Sequence, residues 1–362
     1  MLRTPLYAEH QKLGASFTDF GGWDMPVRYG SDLDEHHAVR NSAGLFDISH
    51  MSEFSVVGDD AGKFLDHALV SEVSKIAVGR AKYTMICDED GGVIDDLIVY
   101  RLHELDFLII ANASGRQAVW EALNARKGNF QLDQLTDNSD DTALIAIQGP
   151  KAVEILQRLS SIDLSPLKYY SIASAEVAGI PSLLARTGYT GEDGFEIVVQ
   201  SGDAVTLWNA LIAEGGDELS PCGLACRDTL RLEAGMPLYG HELGLDKSPF
   251  QAGLGRVVNL GRDFVGADAL AKASENHDAA RLYGLRGEGR RAARADYEVF
   301  LPGGDSAVGV VTSGALSPTL GYPIAMAYLT GNLSTGDKVE ADVRGTRIEF
   351  EVVDLPFYRR AK

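Results

Sequence analysis

Near residue 280 the sequence changes its pattern, and this change limits the possible folds more than any single motif does. Upstream, stretches with helical spacing alternate with β-rich runs. Downstream, Tyr297 to Leu301, Val308 to Thr312, Ile324 to Leu329, Lys338 to Val343 and Ile348 to Val353 follow one another, with glycine-containing turns between them. Short β-rich runs at such spacing predict an all-β sandwich or barrel. The chain therefore holds bodies of different class. Its 362 residues suffice for two or three domains, each with its own core.

Upstream of the change, the spacing predicts helices over residues 7–15, 32–43, 59–70, 114–126, 151–159, 203–214 and 223–235. It predicts strands at Phe54 to Val57, Leu105 to Asn112, Thr142 to Ile147, Val177 to Thr187 and Phe195 to Val199. Gly44 stands where the helix over 32–43 would need a C-terminal cap. Phe20 to Pro26 reads as a loop punctuated by Gly and Pro. The clearest local signal is a hairpin over residues 82–101. There Asp88-Glu89-Asp90-Gly91-Gly92 separates Tyr83 to Cys87 from Val93 to Tyr100. Mixed elements of this kind make an α+β body. Residues 240–280 are the natural connection to the β-rich part.

The formal net charge of −19 argues against a nucleic-acid binder, which needs a basic surface. Any anionic ligand must instead meet Arg and Lys concentrated locally. Three cysteines are too few for a disulfide framework and point to a reducing compartment. Cys222 and Cys226 are four apart, but no His or Cys pair lies near them to complete a zinc site, so no metal is expected. No run reaches the ~18–20 apolar residues that span a bilayer, and Met1 to Tyr7 carries no leader signal. The expected location is cytoplasmic, away from membrane and nucleic acid.

No standard catalytic motif occurs: a P-loop, a nucleophile elbow, a zinc-binding His pair and a dinucleotide fingerprint are all missing. Asp95-Asp96 stands out, directly before the apolar run Leu97-Ile98-Val99. Alternation along a strand puts one carboxylate on each side, with Asp96, Ile98 and Tyr100 on a common face. Three readings stay open here. The acids are a solvated pair, or one is a half-buried carboxylate with a task, or Asp88-x-Asp90 opens a calcium loop. The last lacks its glutamate, since Val99 holds that place. Gly188 to Glu196 is a second constellation. Its glycines permit a tight turn flanked by Tyr189 and Glu196, and a carboxylate can accept two hydrogen bonds from the N–H/NH₂ edge of a ring such as a pterin. An ordinary hairpin loop would look the same. Arg227, Asp228 and Arg231 form a third, at a spacing that also suits plain Arg–Asp pairing on a helix. Met51, Tyr83, Tyr100, Tyr169, Tyr170 and Tyr189 fit either a core or a sandwich around a planar ring.

Several blocks resemble, in order, those of the glycine cleavage T-protein family. They are Phe20-Gly21-Gly22-Trp23-Asp24-Met25-Pro26, Asp34 to Arg40, Phe46-Asp47-Ile48-Ser49-His50-Met51, Gly91 to Leu97, Gln148-Gly149-Pro150, Arg186 to Glu192, Cys226 to Gly235, Thr312-Ser313-Gly314 and Ser317 to Gly321. Together they cover essentially the whole chain. The resemblance implies an α+β, three-domain cloverleaf with tetrahydrofolate in a central channel and a C-terminal β-barrel or jelly roll. The expected division is residues 1–50 plus 140–240 as a discontinuous first domain, 51–139 as the second, 241–279 as connection and 280–362 as the barrel.

It also implies the reaction. An aminomethyl group on the lipoyl arm of a carrier, the H protein, gives its methylene carbon to tetrahydrofolate. The products are 5,10-methylenetetrahydrofolate, ammonia and dihydrolipoyl H protein. Asp96 takes the place of the family's functional aspartate, and Glu196 that of its pterin-binding glutamate. The remaining folate positions fall on Met51, Tyr83, Tyr100, Asn112, Tyr170, Tyr189 and Arg227, with one further contact within Arg359 to Lys362. Two other readings belong to related proteins: a folate-dependent demethylase, and a non-catalytic folate-binding protein of iron–sulfur maturation. The latter usually carries a Lys-Gly-Cys-x-x-Gly-Gln-like signature, absent from Pro221 to Arg227.

Carriers of this system are acidic, as is this chain, so docking needs a positive patch. The densest basic stretch is Arg286, Arg290, Arg291 and Arg294, and Arg290 and Arg291 are the expected partner-binding residues. A plain solvated charge run is the alternative.

Overall fold

The computed structural model describes residues 1–360. Mixed helices and sheets, with a closed barrel at the C-terminal end, give the expected α+β class. The chain divides into two compact units. One comprises Met1–Ile86 and Asp95–Arg227; the other comprises Cys87–Ile94 and Asp228–Lys362.

The first unit holds a six-stranded sheet in the order Ile172–Val177, Ile180–Ala185, Gly194–Gln200, Thr142–Gln148, Ala43–Asp47, Leu219–Pro221. Its middle strand, Thr142–Gln148, is buried along almost its whole length, because it pairs on both sides and is covered by helices Ala152–Leu159 and Ala204–Gly215. Ile145, Ile147, Phe195, Ile197, Ile155 and Trp208 form the core there at 0% exposure. Emptying the Phe195 position would cost about 3–5 kcal/mol. Two local expectations need correction. Val177 to Thr187 is not one strand, since Ala178-Gly179 turns the chain between two antiparallel strands. Gly44 is not a helix cap. The helix ends at Asn41, and Gly44 lies inside the strand Ala43–Asp47, where a Cβ would sit 2.8 Å from Cys222 Sγ. Phe20 to Pro26 is likewise part of a small hairpin, Ser16–Phe20 with Trp23–Arg28.

A five-stranded sheet follows the order Arg80–Cys87, Val93–His103, Asp106–Ala111, Ser52–Val57, Gln134–Asp137. Helices Ala61–Ala68 and Arg116–Arg126 cover it, and Phe54 stacks on Trp120 with centroids 5.8 Å apart. Main-chain bonds tie this sheet to the first one: Ile172 N donates to Gly79 O at 2.9 Å and Ala81 N to Tyr170 O at 3.0 Å.

The second unit holds the barrel, closed in the order Arg281–Gly287, Pro323–Leu329, Ala307–Leu316, Glu298–Phe300, Lys338–Asp342, Arg347–Val353. Closure removes exposed strand edges. The sequence pattern shows five of the six strands. Arg281–Gly287 was masked by Gly284 and Gly287, which are needed because Leu355 and Phe350 pack against their α-carbons. In the same unit Asp88 caps its own turn, accepting from Asp90 N at 3.0 Å and Gly92 N at 2.8 Å. Among the described residues no helix is long and apolar enough to cross a membrane.

Candidate active site

The strand Val93–His103 pairs with Asp106–Ala111 from Leu97 opposite Ala111 onward. Asp95 and Asp96 lie just outside that register, beside Asn112, and burial alternates between them. Asp95 is 0% exposed, while Asp96 is half-buried. A solvated pair is therefore excluded for Asp95. A buried carboxylate persists only with donors on it, and Asp95 has three. Its Oδ2 accepts from Asn112 N at 2.9 Å, and its Oδ1 from Asn112 Nδ2 at 2.7 Å and Asp96 N at 3.0 Å. Burial, then the charge of Asp96, pushes the Asp95 carboxyl well above the usual range, against the pull of the Asn112 donors. On Asp96, Oδ2 accepts from the Tyr83 hydroxyl at 2.9 Å and Oδ1 from Asn112 Nδ2 at 2.8 Å. Burial and the Asp96 charge push the Tyr83 phenol up, so it stays protonated and donates.

Glu196 stands on Gly194–Gln200, opposite Ala146 of the middle strand, at 9% exposure. The Thr187 hydroxyl donates to its Oε2 at 2.6 Å. The Tyr100 hydroxyl lies 3.0 Å from Thr187 Oγ1 and also acts on Glu196. Burial pushes the Glu196 carboxyl up, while Thr187, Arg227 and Tyr100 pull it back. The loop before Glu196 is firmly held. Gln148 Nε2 donates to Thr187 O at 3.0 Å, and its Oε1 accepts from Thr190 Oγ1 at 2.9 Å. Arg40 Nη1 donates to Thr190 O at 2.7 Å and Glu192 Oε1 at 2.9 Å. Gly188 is required by this approach, since a Cβ there would lie 2.6 Å from Gln148 Cδ. A slack hairpin loop does not describe it.

Arg227 lies in the first turn of the helix Leu224–Glu233, with its guanidinium 4.9 Å from the centre of the Tyr189 ring. Its Nη1 is buried without a hydrogen-bond partner among the described residues. So is Nδ1 of His50, whose ring is 3% exposed and edge-on to Phe20 at 5.5 Å. Burial, then the charge of Arg227, drives His50 down to about 4, so its imidazole is neutral at ordinary pH. A buried polar atom left unpaired costs about 1–3 kcal/mol. An open guanidinium donor and an open imidazole nitrogen, near enough for the Arg227 charge to act on His50, mark a ligand position. Tyr170 adds a strained backbone, with φ at 62°, and its ring lies 4.9 Å from that of Tyr169. Such strain costs about 1–3 kcal/mol and gathers at binding sites.

These groups are mutual neighbours. Tyr83 feels the phenols of Tyr189 and Tyr170, and Tyr100 feels Glu196 and Tyr170. The first unit therefore brings Asp96, Tyr83, Tyr100, Asn112, Tyr170, Tyr189, Glu196 and Arg227 together. Met51, half-buried, follows His50 in the chain. Arg290 and Arg291 are exposed in the other unit, where Arg286 pairs with Glu351 at 3.0 Å and Arg294 donates to Gly314 O at 3.0 Å. Of Arg359 to Lys362, residues 361 and 362 lie outside the described residues.

The two units coincide with no single pattern, yet one family spans both. Residues 6–262 match the GCVT N-terminal domain, and residues 281–359 match the glycine cleavage T-protein C-terminal barrel domain. The chain belongs to the glycine cleavage T-protein family. An aminomethyltransferase of Streptomyces avermitilis is 55% identical over 367 residues, which cover 99% of this chain and 98% of that one. One from Saccharopolyspora erythraea is 54% identical, with 99% and 98% covered. The crystal structure of glycine cleavage system aminomethyltransferase T from Bartonella henselae agrees with a TM-score of 0.93 at 35% identity, covering 100% of this chain and 99% of that one. The chain is that of an aminomethyltransferase.

For an aminomethyltransferase site, reading the sequence passed over His50, Thr187 and Gly115. His50 and Thr187 lie inside blocks that were singled out, but nothing in a single sequence shows which atoms burial leaves open. Asp95 was visible only as the less favoured of two acids.

Proposed function

We propose that this cluster binds tetrahydrofolate, and that the aminomethyl donor is the lipoyl arm of the H protein. The observation that carries the reading is the pairing of the open Arg227 Nη1 and His50 Nδ1 with the buried Glu196 and the rings of Tyr189, Tyr170 and Tyr83. A pterin presents an N–H/NH₂ edge, a carbonyl and a flat face, and these residues supply a partner for each. When bound, the folate supplies the nucleophilic nitrogen that accepts the methylene carbon as ammonia and the dihydrolipoyl thiol leave. Glu196 accepts from the pterin edge, with Thr187 and Tyr100 holding its other contacts. Arg227, stacked on Tyr189, donates toward the carbonyl side. Asp96 faces the reacting nitrogen and stabilises positive charge there. Its carboxylate is held by Tyr83 and Asn112, so it is oriented before substrate arrives. Met51 is a further folate position in this reading.

The domain division expected from the sequence is kept as part of this reading, supported by the six-stranded sheet within 1–50 plus 140–240, the five-stranded sheet within 51–139 and the barrel within 280–362. The compartment is cytoplasmic, supported by the small number of cysteines, three in 362 residues. Arg290 and Arg291 are the docking cations for the H protein.

The test is ammonia release from aminomethylated H protein with tetrahydrofolate. Asp96→Asn keeps shape and removes charge, and turnover should fall by ~10² or more. Near-normal turnover in Asp96→Asn would sink the assignment.

A further inference from the structure

Asn112 Nδ2 carries two hydrogens and faces three acceptors: Asp95 Oδ1 at 2.7 Å, Asp96 Oδ1 at 2.8 Å and Asp96 O at 3.1 Å. Its donor capacity is spent inside the protein. Only Oδ1 of that side chain is left for a ligand. Asp95, at 0% exposure, cannot reach a ligand at all. Its oxygens hold Asn112 from two directions, through the main-chain N–H and through the amide. The turn after Asn112 shows the same design from the other side. Gly115 has φ −86° and ψ −11°, a conformation open to any residue. Yet a Cβ at Gly115 would lie 2.6 Å from Asp95 Cγ. The glycine is there to make room for a carboxylate, not for its backbone freedom.

We propose that Asp95 is a positioning residue. Seated against Gly115 and fixed on Asn112, it sets the direction of the Asp96 carboxylate without touching substrate. This rests on Asp96 being the functional acid. The chain of action is Gly115 to Asp95, Asp95 to Asn112 and Asn112 to Asp96, with Tyr83 as the second hold on Asp96. Nearby ionisable groups are Asp96 itself, Tyr83, and behind Tyr83 the phenols of Tyr170 and Tyr189. A misplacement of about 1 Å in such a group can cost ~10² in rate. Asp95 should therefore act on kcat and leave folate affinity alone. That is the reverse of what a folate contact would do.

Asp95→Asn keeps the size but turns one acceptor into a donor, so at least one of its three incoming N–H groups meets an NH₂ whichever way the amide faces. Its kcat should fall on the order of tenfold, with tetrahydrofolate affinity by calorimetry within about twofold of wild type. In an Asp96→Asn background the same change should have no further effect, because a residue acting through Asp96 has nothing left to act on. Gly115→Ala should reproduce the Asp95→Asn signature. Melting curves check the fold, and Asp95→Asn decides the matter if Gly115→Ala does not fold. Two results overturn the proposal: Asp95→Asn lowering kcat equally in both backgrounds, or Asp95→Asn weakening folate binding tenfold with kcat unchanged. An active Asp96→Asn enzyme removes the underlying reading. A dead Asp96→Asn with a normal Asp95→Asn removes this inference alone.

Discussion

Arg227 and Arg231 stand one turn apart on the same helix, and their surroundings are opposite. Arg231 is 1% exposed with its donors engaged: Asp228 Oδ1 at 2.9 Å, Glu242 Oε2 at 3.0 Å, Ser313 Oγ at 2.8 Å and Met236 O at 3.3 Å. Arg227 lies over the Tyr189 ring and keeps Nη1 buried and unpaired among the described residues. The same residue type on the same helix is architecture in one place and a binding group in the other. Buried glutamates divide likewise. Glu233 accepts from Ser317 Oγ at 2.5 Å, Thr319 N at 3.0 Å and Thr319 Oγ1 at 2.8 Å, whereas Glu196 takes the Thr187 hydroxyl on one oxygen. Saturation of hydrogen-bonding capacity, more than burial or charge, separates a group that holds the fold from one that awaits a ligand.

The largest effect belongs to the saturated member. Arg231→Met leaves Glu242, at 0% exposure, without its cation. Removing one partner of a buried pair costs about 3–5 kcal/mol. Arg231→Met should therefore lower the unfolding midpoint strongly, while the folded fraction binds tetrahydrofolate as wild type does. Weakened folate binding at an unchanged midpoint would break the distinction.

His50 gives the next effect, through pH. Its folded value of about 4 lies below the ordinary 6.5. As pH falls, the unfolded chain takes up a proton near 6.5 and the folded chain does not until about 4. The contribution is present in full above the ordinary value and is lost between the two. His50→Gln has no such proton to bind. Its stability relative to wild type should rise by roughly 3 kcal/mol between neutral pH and pH 4, measured by unfolding at each pH. A constant difference would mean that the imidazole is not buried and neutral.

Glu196→Ala tests the unsaturated side directly. A charge-assisted contact contributes about 1.5–3 kcal/mol. Folate binding should weaken at least ~tenfold by calorimetry, with melting little changed. Unchanged affinity removes Glu196 from the site.

Which of these features a sequence can carry follows from the same distinction. The hairpin around Asp88 to Gly92 and five barrel strands were legible because turns and strand periodicity are local. The strand Arg281–Gly287 was not, since its glycines answer to Leu355 and Phe350, far along the chain. Asp95-Asp96 was visible as a pair, and alternation placed the two acids on opposite sides. Which acid was buried, and that Asn112 bridges both, depends on where the next strand ends. Arg231–Asp228 pairing was legible from spacing. The open atoms of Arg227 and His50 were not, because vacancy is a property of the packed neighbourhood. The resemblance to a family, carried by many weak blocks together, brought the site residues into view.

The smallest effect concerns Arg290 and Arg291, a third kind of cation, exposed and in glycine-bordered chain. Arg286 and Arg294 in the same stretch already have partners, in Glu351 and the Gly314 carbonyl. Exposed charges add little to stability, so Arg290→Glu with Arg291→Glu should leave melting unchanged. Rim charges chiefly govern association and its sensitivity to salt. With a protein of net charge −19 and an acidic carrier, loss of the local positive patch should raise the apparent KM for aminomethylated H protein severalfold. The salt dependence of that KM should flatten, because the attraction that salt screens has gone. Activity with free aminomethyl-dihydrolipoamide needs no docking and should stay near wild type. If carrier-dependent and carrier-free rates fall together, the two arginines serve the barrel or the folate site, and exposure would no longer set them apart from Arg231.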